Sequence, residues 1–408
     1  MRPASPATPI LYTTVVAAFW LATLPFSHTV ALRYTLFILA FVLILHSRQA
    51  VFLRGLPMRA AYLAWGIAAL LSLLSAPHPL ESLRDIKSEI LMGFAAFWLF
   101  YNLGLKSPRC ELLIVGLCAS LLGGGLLSIW QFFPALPQVL GRYYPGNGVW
   151  STWLVLALPV LLACTRTTLL AKTVRRIVWF SLLCLPLLGF LTFNRGFWVA
   201  LIAVALIFAW REGEHYFARR RFVVQLTLAL IPIALLLMLQ IHNLRLENVA
   251  SLPLTVHFDQ DPRPALWLQC LRLIADGPIT GAGFGQGIYK MELTTLLGNP
   301  LLWHGHNLFI NTALQMGVPG LLSLFWLLAA AGRQFSFKSP MASAAYAIIG
   351  TGGLALLSAL IVKNFTDDFF IEQNALLFWA LVGLGLGIRS RFASAAEPSD
   401  SESQESAI

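Results

Sequence analysis

Charged residues are scarce in this chain, since Asp, Glu, Lys and Arg make up only 11% of its 408 residues. Soluble domains carry about 25% charged residues, so the composition excludes an ordinary water-soluble fold. Hydrophobic residues instead account for 58% of the chain, and the mean hydropathy is +0.74. The composition therefore predicts a protein that is solvated mainly by lipid.

Cysteines, and charged residues inside the apolar runs, are also scarce, and this limits the classes of protein to which the chain can belong. The chain has five cysteines, three of them inside apolar runs, and their spacing does not indicate a disulfide framework. Charged residues are nearly absent from the middles of the apolar runs. Ion-coupled transporters carry such residues there although each costs about 2.5–3.5 kcal/mol or more. An ion-coupled transporter is therefore disfavoured.

Unbroken apolar runs are the main feature that remains. They do not alternate polar and apolar residues, which favours membrane-spanning helices over the strands of a barrel. We expect the first run to be a span and not a signal peptide, because no clear cleavage site follows it. The sequence thus predicts an all-α polytopic membrane protein with about twelve transmembrane helices. The runs lie near 8–26, 29–46, 58–76, 88–104, 111–133, 151–165, 175–193, 197–210, 222–241, 307–331, 343–363 and 371–388.

Lys and Arg residues predict the orientation. With the N-terminus in the cytoplasm, 18 of the 28 basic residues fall on the cytoplasmic side, in line with the positive-inside rule. We expect one transmembrane domain over 1–392, a long outer segment at about 242–306 between spans nine and ten, and a disordered cytoplasmic tail over 393–408. The net charge of +10 then anchors spans at an anionic leaflet, and a nucleic-acid partner is not expected.

Basic residues on the predicted outer side indicate a cavity for an anion. Arg195 is the most unusual, because the turn 192–197 joins spans seven and eight with almost no loop. Its guanidinium either binds an anion or extends to the lipid headgroups, as long cationic side chains do. Arg142 follows span five at the same membrane level. Several such residues are expected to surround one outward-facing cavity.

Arg84 and Lys87 lie after span three, also at this level. They are candidates for substrate binding in the same cavity. However, Asp85 and Glu89 are close in sequence, and ion pairs with these acids are the simpler interpretation of the two basic residues.

The outer segment is predicted to contain an amphipathic helix that begins at Arg263. Pro264 suits a first helical turn, so Arg263 is expected at a helix N-terminus, where the backbone N–H groups and the helix dipole favour an anion. Residues 277–287, which are rich in glycine, are predicted to form a tight connector. The helix is expected to lie on the membrane with an apolar face of Trp267, Leu271 and Ile274.

His304 and His306 precede span ten. Histidine is the side chain that titrates near neutrality, which suits a general base. Asn307, Asn311 and Gln315 follow at intervals of four residues, so they share one face of the helix and are predicted to line a cavity that enters the bundle.

Other side chains allow alternative interpretations. A metal site would use both histidines with Asp259 or Asp261, although no recognisable zinc-ligand spacing is present. Aromatic residues near the same membrane level either stack on sugars or form an ordinary interfacial belt. These aromatic residues are Tyr143, Tyr144 and Trp303.

Four short motifs are the turn Thr-x-x-Arg-Gly at 192–196, Arg263 with Leu266-Trp267, Gly281-x-Gly283, and His306-Asn307 followed by Gly317 and Gly320. Together with the apolar spans, they resemble the O-antigen ligase and polymerase superfamily, and the layout matches over nearly the whole chain. Two positions depart from the family pattern. Asn194 stands where a serine often precedes the arginine, and Gln315 stands where an acidic residue is common. The departures leave open which group orients His306.

This resemblance implies a C-type glycosyltransferase of the bacterial inner membrane, with an active site that faces the periplasm. The implied donor is a glycan on undecaprenyl diphosphate, the acceptor is lipid A-core, and no metal or other cofactor is required. Arg195 and Arg263 are expected to bind the diphosphate, and His306 is expected to act as the general base. Residues expected to contact the substrates are Arg84, Lys87, Arg142, Tyr143, Tyr144, Trp303, His304 and Asn307.

Two alternatives to the ligase remain. The polymerase branch of the same superfamily uses a second lipid-linked glycan as acceptor and need not differ in these motifs. A flippase for lipid-linked oligosaccharides is less favoured, because a diphosphate that crosses the membrane should meet cations along its route, whereas the outer basic residues lie at one level.

Overall fold

The computed structural model describes residues 7–48, 50–130, 141–212, 263–298, 302, 304–337 and 343–394. Within these ranges the chain is helical and forms no β-strand, which confirms the all-α prediction there. A π-helical segment, Ile86–Leu91, joins α4 to α5. The α-helices are α1 (Ala7–Thr23), α2 (Val30–His46), α3 (Arg59–Leu71), α4 (Pro79–Asp85), α5 (Met92–Lys106), α6 (Glu111–Trp130), α7 (Asn147–Arg166), α8 (Lys172–Leu191), α9 (Arg195–Glu212), α10 (Arg263–Asp276), α11 (Lys290–Leu297), α12 (Leu308–Ser336), α13 (Ala344–Lys363) and α14 (Glu372–Ser394).

Helices lie at eleven of the twelve predicted spans. The ninth predicted span, 222–241, lies outside the described residues, as does most of the predicted tail, since α14 extends to Ser394. Three apolar helices, within α1 to α3, are shorter than a typical span. Seven helical stretches are long and apolar enough to cross a membrane. The described chain is thus consistent with a multi-pass membrane protein, while twelve crossings stay a prediction. The seven stretches are Pro79–Lys106, Glu111–Trp130, Asn147–Arg166, Lys172–Leu191, Leu308–Ser336, Ala344–Lys363 and Glu372–Ser394.

The most extensive helix contact in the described part of the chain joins α5 to α14. Glycines on α14 allow the two backbones to touch, because a Cβ atom on Gly383 would overlap the carbonyl oxygen of Phe97. One on Gly387 would overlap the carbonyl oxygen of Tyr101 in the same way. Small residues at such contacts are typical of membrane helices, which gain little from hydrophobic burial against one another in lipid.

Three further helix groups surround this pair. Helix α1 packs on α2 and α6, α13 packs on α7 and α9, and α12 packs on α3 and α13. Several predicted functional residues lie where α8 ends, where α12 begins and where α13 ends. These helix ends are near Thr192, Asn307 and Lys363.

The predicted amphipathic helix is present as α10, which begins at Arg263 as expected. Its buried side chains are Leu266 and Cys270, which share a small core with Leu314 of α12. Leu271 of the predicted apolar face is 54% exposed, so it does not pack on α12. Contact of that face with the membrane stays a prediction.

The glycine-rich connector at 277–287 docks on a break in α12. At Gly317 the backbone takes φ 66° and ψ −170°, which interrupts the helix in a region that residues other than glycine rarely adopt. Three backbone N–H groups bridge the connector and the break: Ala282 donates to Leu314 at 3.1 Å, Gly283 to Gln315 at 3.0 Å, and Val318 to Pro278 at 2.8 Å. The bonds satisfy polar groups that the interrupted helix would otherwise leave unpaired.

Candidate active site

His306 lies in the short loop before α12, and its backbone is held in an unusual conformation. Its φ is 45°, a left-handed value that costs free energy for a residue with a side chain and that clusters at functional sites. Asn307 follows as the N-cap of α12, and its Oδ1 accepts hydrogen bonds from the N–H groups of Phe309 and Ile310 at 2.9 and 3.1 Å. The Asn307 Nδ2 donates to the carbonyl oxygen of Phe365 at 2.7 Å. The predicted substrate contact at Asn307 is thus occupied by structural bonds that fix the His306 loop.

The loop between α13 and α14 brings a carboxylate to this histidine. The Nδ1 atom of His306 lies 3.7 Å from Oδ1 of Asp367. The other oxygen, Oδ2, lies 3.3 Å from Nζ of Lys363, the fully buried last residue of α13. Burial alone would raise the pKa of Asp367, but the imidazole of His306 and the charge of Lys363 outweigh it and lower the pKa to about 2. Asp367 is therefore an anion that faces one ring nitrogen of His306.

His304 is neutral and supports the loop. It is 3% exposed, and its Nδ1 accepts a hydrogen bond from the backbone N–H of His306 at 3.2 Å. Burial, together with the neighbouring His306, lowers the pKa of His304 to about 3. The two imidazole rings lie 3.9 Å apart between centroids. Because His304 stays uncharged above about pH 3, it is poorly suited to exchange protons at neutral pH. Its hydrogen bond instead positions His306.

The Arg195 turn lies against the same group of residues. Helix α8 ends at Leu191 and α9 begins at Arg195, so the predicted near-absence of a loop is confirmed. On one side of Arg195, Asn194 Nδ2 donates to Asp367 Oδ2 at 3.5 Å. On the other side, a Cβ atom on Gly196 would lie 3.4 Å from Cδ of Lys363. Arg195 itself is exposed, at the rim of the Lys363–Asp367 pair.

Arg263 reaches this region from the outer segment. It is half-buried at the first residue of α10, and its charge interacts with that of Lys363. Helix α10 is tied to the histidine loop because Trp267 Nε1 donates to the carbonyl oxygen of Gly305 at 2.9 Å. The three residues predicted to carry the chemistry, His306, Arg195 and Arg263, are therefore gathered around Lys363 and Asp367.

The polar stripe on α12 lines a cavity at two of its three predicted positions. Asn311 and Gln315 face it together with Asp368 and Gln286. Asn311 Nδ2 donates to Asp368 Oδ2, while Asp368 Oδ1 is buried without a hydrogen-bond partner in the described part of the chain. Burial raises the pKa of Asp368 to about 6, against the hydrogen bond from Asn311, which lowers it.

Replacement of Asp368 by asparagine is expected to stabilise the protein at pH 7. An unfolded aspartate titrates near 4, so the folded protein binds more protons than the unfolded chain between about pH 4 and pH 6. The buried anion therefore costs stability increasingly over that window, and fully above it. We expect Asp368→Asn to raise the free energy of unfolding by about 1–3 kcal/mol at pH 7 and by little at pH 4. Thermal unfolding in detergent at both pH values measures this. Asp276→Asn, at an exposed aspartate, is the control, and equal gains for Asp368→Asn at both pH values would contradict the expectation.

Arg84 and Lys87 are both exposed, beside the connector and not beside His306. The connector packs on this region because a Cβ atom on Gly285 would overlap the carboxylate of Asp85. The expected ion pairs with acidic neighbours are absent from the described residues. Glu89 instead lines the cavity that contains Asn311 and Asp368.

Arg142 and Tyr143 form a separate group. The Arg142 guanidinium lies 5.1 Å above the Tyr143 ring, and the Tyr143 carbonyl oxygen accepts from Ser27 N–H at 2.9 Å. Tyr144 Oη donates to Asn147 Oδ1 at 2.8 Å. Their described contacts are thus with one another and with neighbouring loops, not with His306. Trp303 and the two aspartates of the alternative metal site, Asp259 and Asp261, lie outside the described residues.

Sequence reasoning missed Lys363 and Asp367. The signal was present, because the two residues lie four apart at the outer end of span eleven and form an i,i+4 pair there. A charged residue at the end of an apolar run usually anchors the span at the membrane interface, so this pair did not stand out. Only the fold shows that Lys363 is fully buried and that Asp367 faces His306.

Comparison with protein families gives a match to part of the chain. Residues 179–325 match the family model described as O-antigen ligase. The matched range includes Arg195, Arg263 and His306, and it ends before Lys363 and Asp367. No curated protein matches the chain.

Proposed function

We propose that the chain is an O-antigen ligase, because residues 179–325 match the family model described as O-antigen ligase. Members of that family are glycosyltransferase-like enzymes of O-antigen processing. In this proposal it transfers a glycan from undecaprenyl diphosphate to a hydroxyl group of lipid A-core in the periplasmic half of the inner membrane. The observation that carries the proposal is the gathering of His306, Arg195 and Arg263 around the buried pair of Lys363 and Asp367.

His306 is the proposed general base. With Asp367 holding the proton on Nδ1, the lone pair of Nε2 is left to accept a proton. The separation of 3.7 Å is longer than a hydrogen bond, and such contacts often tighten only when substrate binds. Lys363 keeps Asp367 ionised, so the imidazolium formed during the reaction meets an anion. This arrangement supports Asp367 as the group that orients His306, which the departures from the family pattern left open.

The two arginines are the proposed diphosphate site. As the acceptor oxygen forms its bond to the anomeric carbon, the bond from that carbon to the diphosphate oxygen breaks, and the electron pair leaves with undecaprenyl diphosphate. Arg195 and Arg263 stabilise the charge that develops on the phosphate oxygens. The proton of the acceptor hydroxyl goes to His306 and then to water. A single displacement of this kind inverts the anomeric configuration and requires no metal ion.

Reconstitution tests the proposal. Purified protein in proteoliposomes receives a lipid-linked glycan with either lipid A-core or a second lipid-linked glycan, in the presence of a chelator. Glycan on lipid A-core is the expected product. Elongated lipid-linked glycan would support polymerase activity instead, and translocation of intact donor without transfer would support a flippase. Loss of transfer in chelator that added metal restores would contradict the metal-independent mechanism.

The outward orientation of the site has its own expected result. Met291 lies on α11 and is 83% exposed, so Met291→Cys should react with a membrane-impermeant thiol reagent in intact cells whose outer membrane is permeable. The unsubstituted chain, whose five cysteines are free, gives the background. Labelling that requires a membrane-permeant reagent would reverse the proposed orientation.

A further inference from the structure

A second cavity lies beside the first turn of α14. It is enclosed by α1, α2, α14 and the start of α5, and its volume is about 160 Å³. A single water molecule needs only about 10–15 Å³ by this measure, so the space suits a larger group. None of the residues that line it belongs to the proposed catalytic site.

One end of this cavity is polar and contains two unsatisfied atoms. Arg33 Nη1 donates to the carbonyl oxygen of Leu24 at 3.1 Å, but Arg33 Nε is buried without a partner in the described part of the chain. Gln373 is 7% exposed, and its Oε1 likewise has no hydrogen-bond partner among the described residues. A buried donor and a buried acceptor at one cavity call for a ligand that satisfies both.

The polar end also carries one charge of each sign. Arg33 and Glu372 both line the cavity, and their opposite charges interact across it. They form no direct ion pair within the described ranges, which leaves room between them. Glu372 adopts φ 42°, a left-handed value that costs free energy for a residue with a side chain and that clusters at ligand sites.

The other end is apolar and adjoins the lipid-facing surface. Trp20, Phe37 and Leu376 line it. Helix α2, which forms one wall, exposes Val30 by 49% and Ile38 by 58%, as expected for a helix surface in contact with lipid chains. A molecule with a polar head and a hydrocarbon chain fits a cavity whose lining is polar in one part and apolar in another.

We propose that the cavity binds a phospholipid with a phosphoethanolamine headgroup. The phosphate receives hydrogen bonds from Arg33, whose guanidinium suits phosphate oxygens. The ammonium group donates to Glu372 and to Gln373 Oε1, and an acyl chain lies along the apolar wall. A headgroup with only negative charge offers the Glu372 carboxylate no cationic partner, so the charge pattern favours a headgroup that carries both signs.

Lipid binding measured by native mass spectrometry tests this site. The purified protein is titrated with phosphatidylethanolamine, with phosphatidylglycerol, which lacks the ammonium group, and with lipid A, all under the same detergent conditions. We expect phosphatidylethanolamine to bind about ten-fold more tightly than either competitor, the effect of one charge-assisted hydrogen bond. Equal binding of the three lipids overturns the proposal. Preference for lipid A also overturns it and would assign the cavity to the acceptor.

Two variants separate the two ends of the headgroup. Glu372→Gln should reduce the affinity for phosphatidylethanolamine to that for phosphatidylglycerol, because it removes the partner of the ammonium group. Arg33→Gln should weaken both lipids by about ten-fold, and Arg33→Lys should weaken them less. Arg109→Gln, at an exposed arginine outside the cavity, is the control and should change neither. Unchanged lipid preference in Glu372→Gln, in protein that unfolds at the wild-type temperature, overturns the assignment.

Discussion

Replacement of His306 by alanine is expected to reduce glycan transfer by about 10²–10⁴-fold, the usual effect of losing a general base. Binding of the lipid-linked donor should be retained, because the proposed diphosphate contacts come from Arg195 and Arg263. His304→Ala should cost less, since His304 acts only on the loop through its bond to the His306 N–H. Transfer by purified variants in proteoliposomes measures the effect, with His46→Ala, at an exposed histidine, as the control. Full activity of His306→Ala would remove the base assignment.

Asp367 is proposed to act by positioning His306, so its test measures how the rate depends on pH. Asp367→Asn keeps the size of the side chain and removes the anion opposite Nδ1. We expect a lower maximal rate and an acidic limb of the rate–pH profile that moves to lower pH, because the protonated imidazole loses its negative neighbour. A purely structural role for Asp367 would reduce the amount of folded protein and leave the shape of the profile unchanged.

Alanine at Arg195 or at Arg263 is expected to reduce transfer by about 10²–10³-fold, the range found when one group that stabilises a developing oxyanion is removed. Unlike the loss of His306, either change should also weaken donor binding. Lysine should rescue poorly, because it lacks the planar fork that grips two phosphate oxygens. Turnover and donor affinity are measured together, so that binding and chemistry are separated.

Each arginine has a matched control on its own helix. Arg272 lies on α10 with Arg263, and Arg211 lies at the far end of α9 from Arg195. Alanine at either control position should leave turnover near the wild-type value. Unchanged donor affinity and turnover in both Arg195→Ala and Arg263→Ala would show that these side chains only extend to the lipid headgroups.

Much of the fold was predictable because membrane helices leave a strong sequence signal. Long apolar runs predicted the positions of eleven described helices, since lipid requires every backbone group to be bonded within its own segment. Packing between helices was less predictable. Helix α10 shows the limit, because the sequence did not indicate that Leu266 and Cys270 would pack on α12.

The candidate site was predictable where local geometry gave unusual positions and not where partners are distant in sequence. Arg195 stood out because a turn without a loop is rare between spans, and Arg263 because proline follows it at a helix start. Asp367 could not be assigned to His306, because the two are brought together only by the way α12 and α13 pack. The i,i+4 pair with Lys363 was visible, but burial distinguishes it from a surface pair, and burial is a property of the fold.

The hydrogen bonds between the connector and the break in α12 attach two of the three proposed catalytic residues to one group of helices. Arg263 and His306 are carried by α10 and α12, which the bonds at Ala282, Gly283 and Val318 join into one unit. Arg195 belongs to α9, which packs on α13, and α12 contacts α13 as well. Helix α13 would therefore set the distance between the two arginines that the proposed diphosphate must bridge.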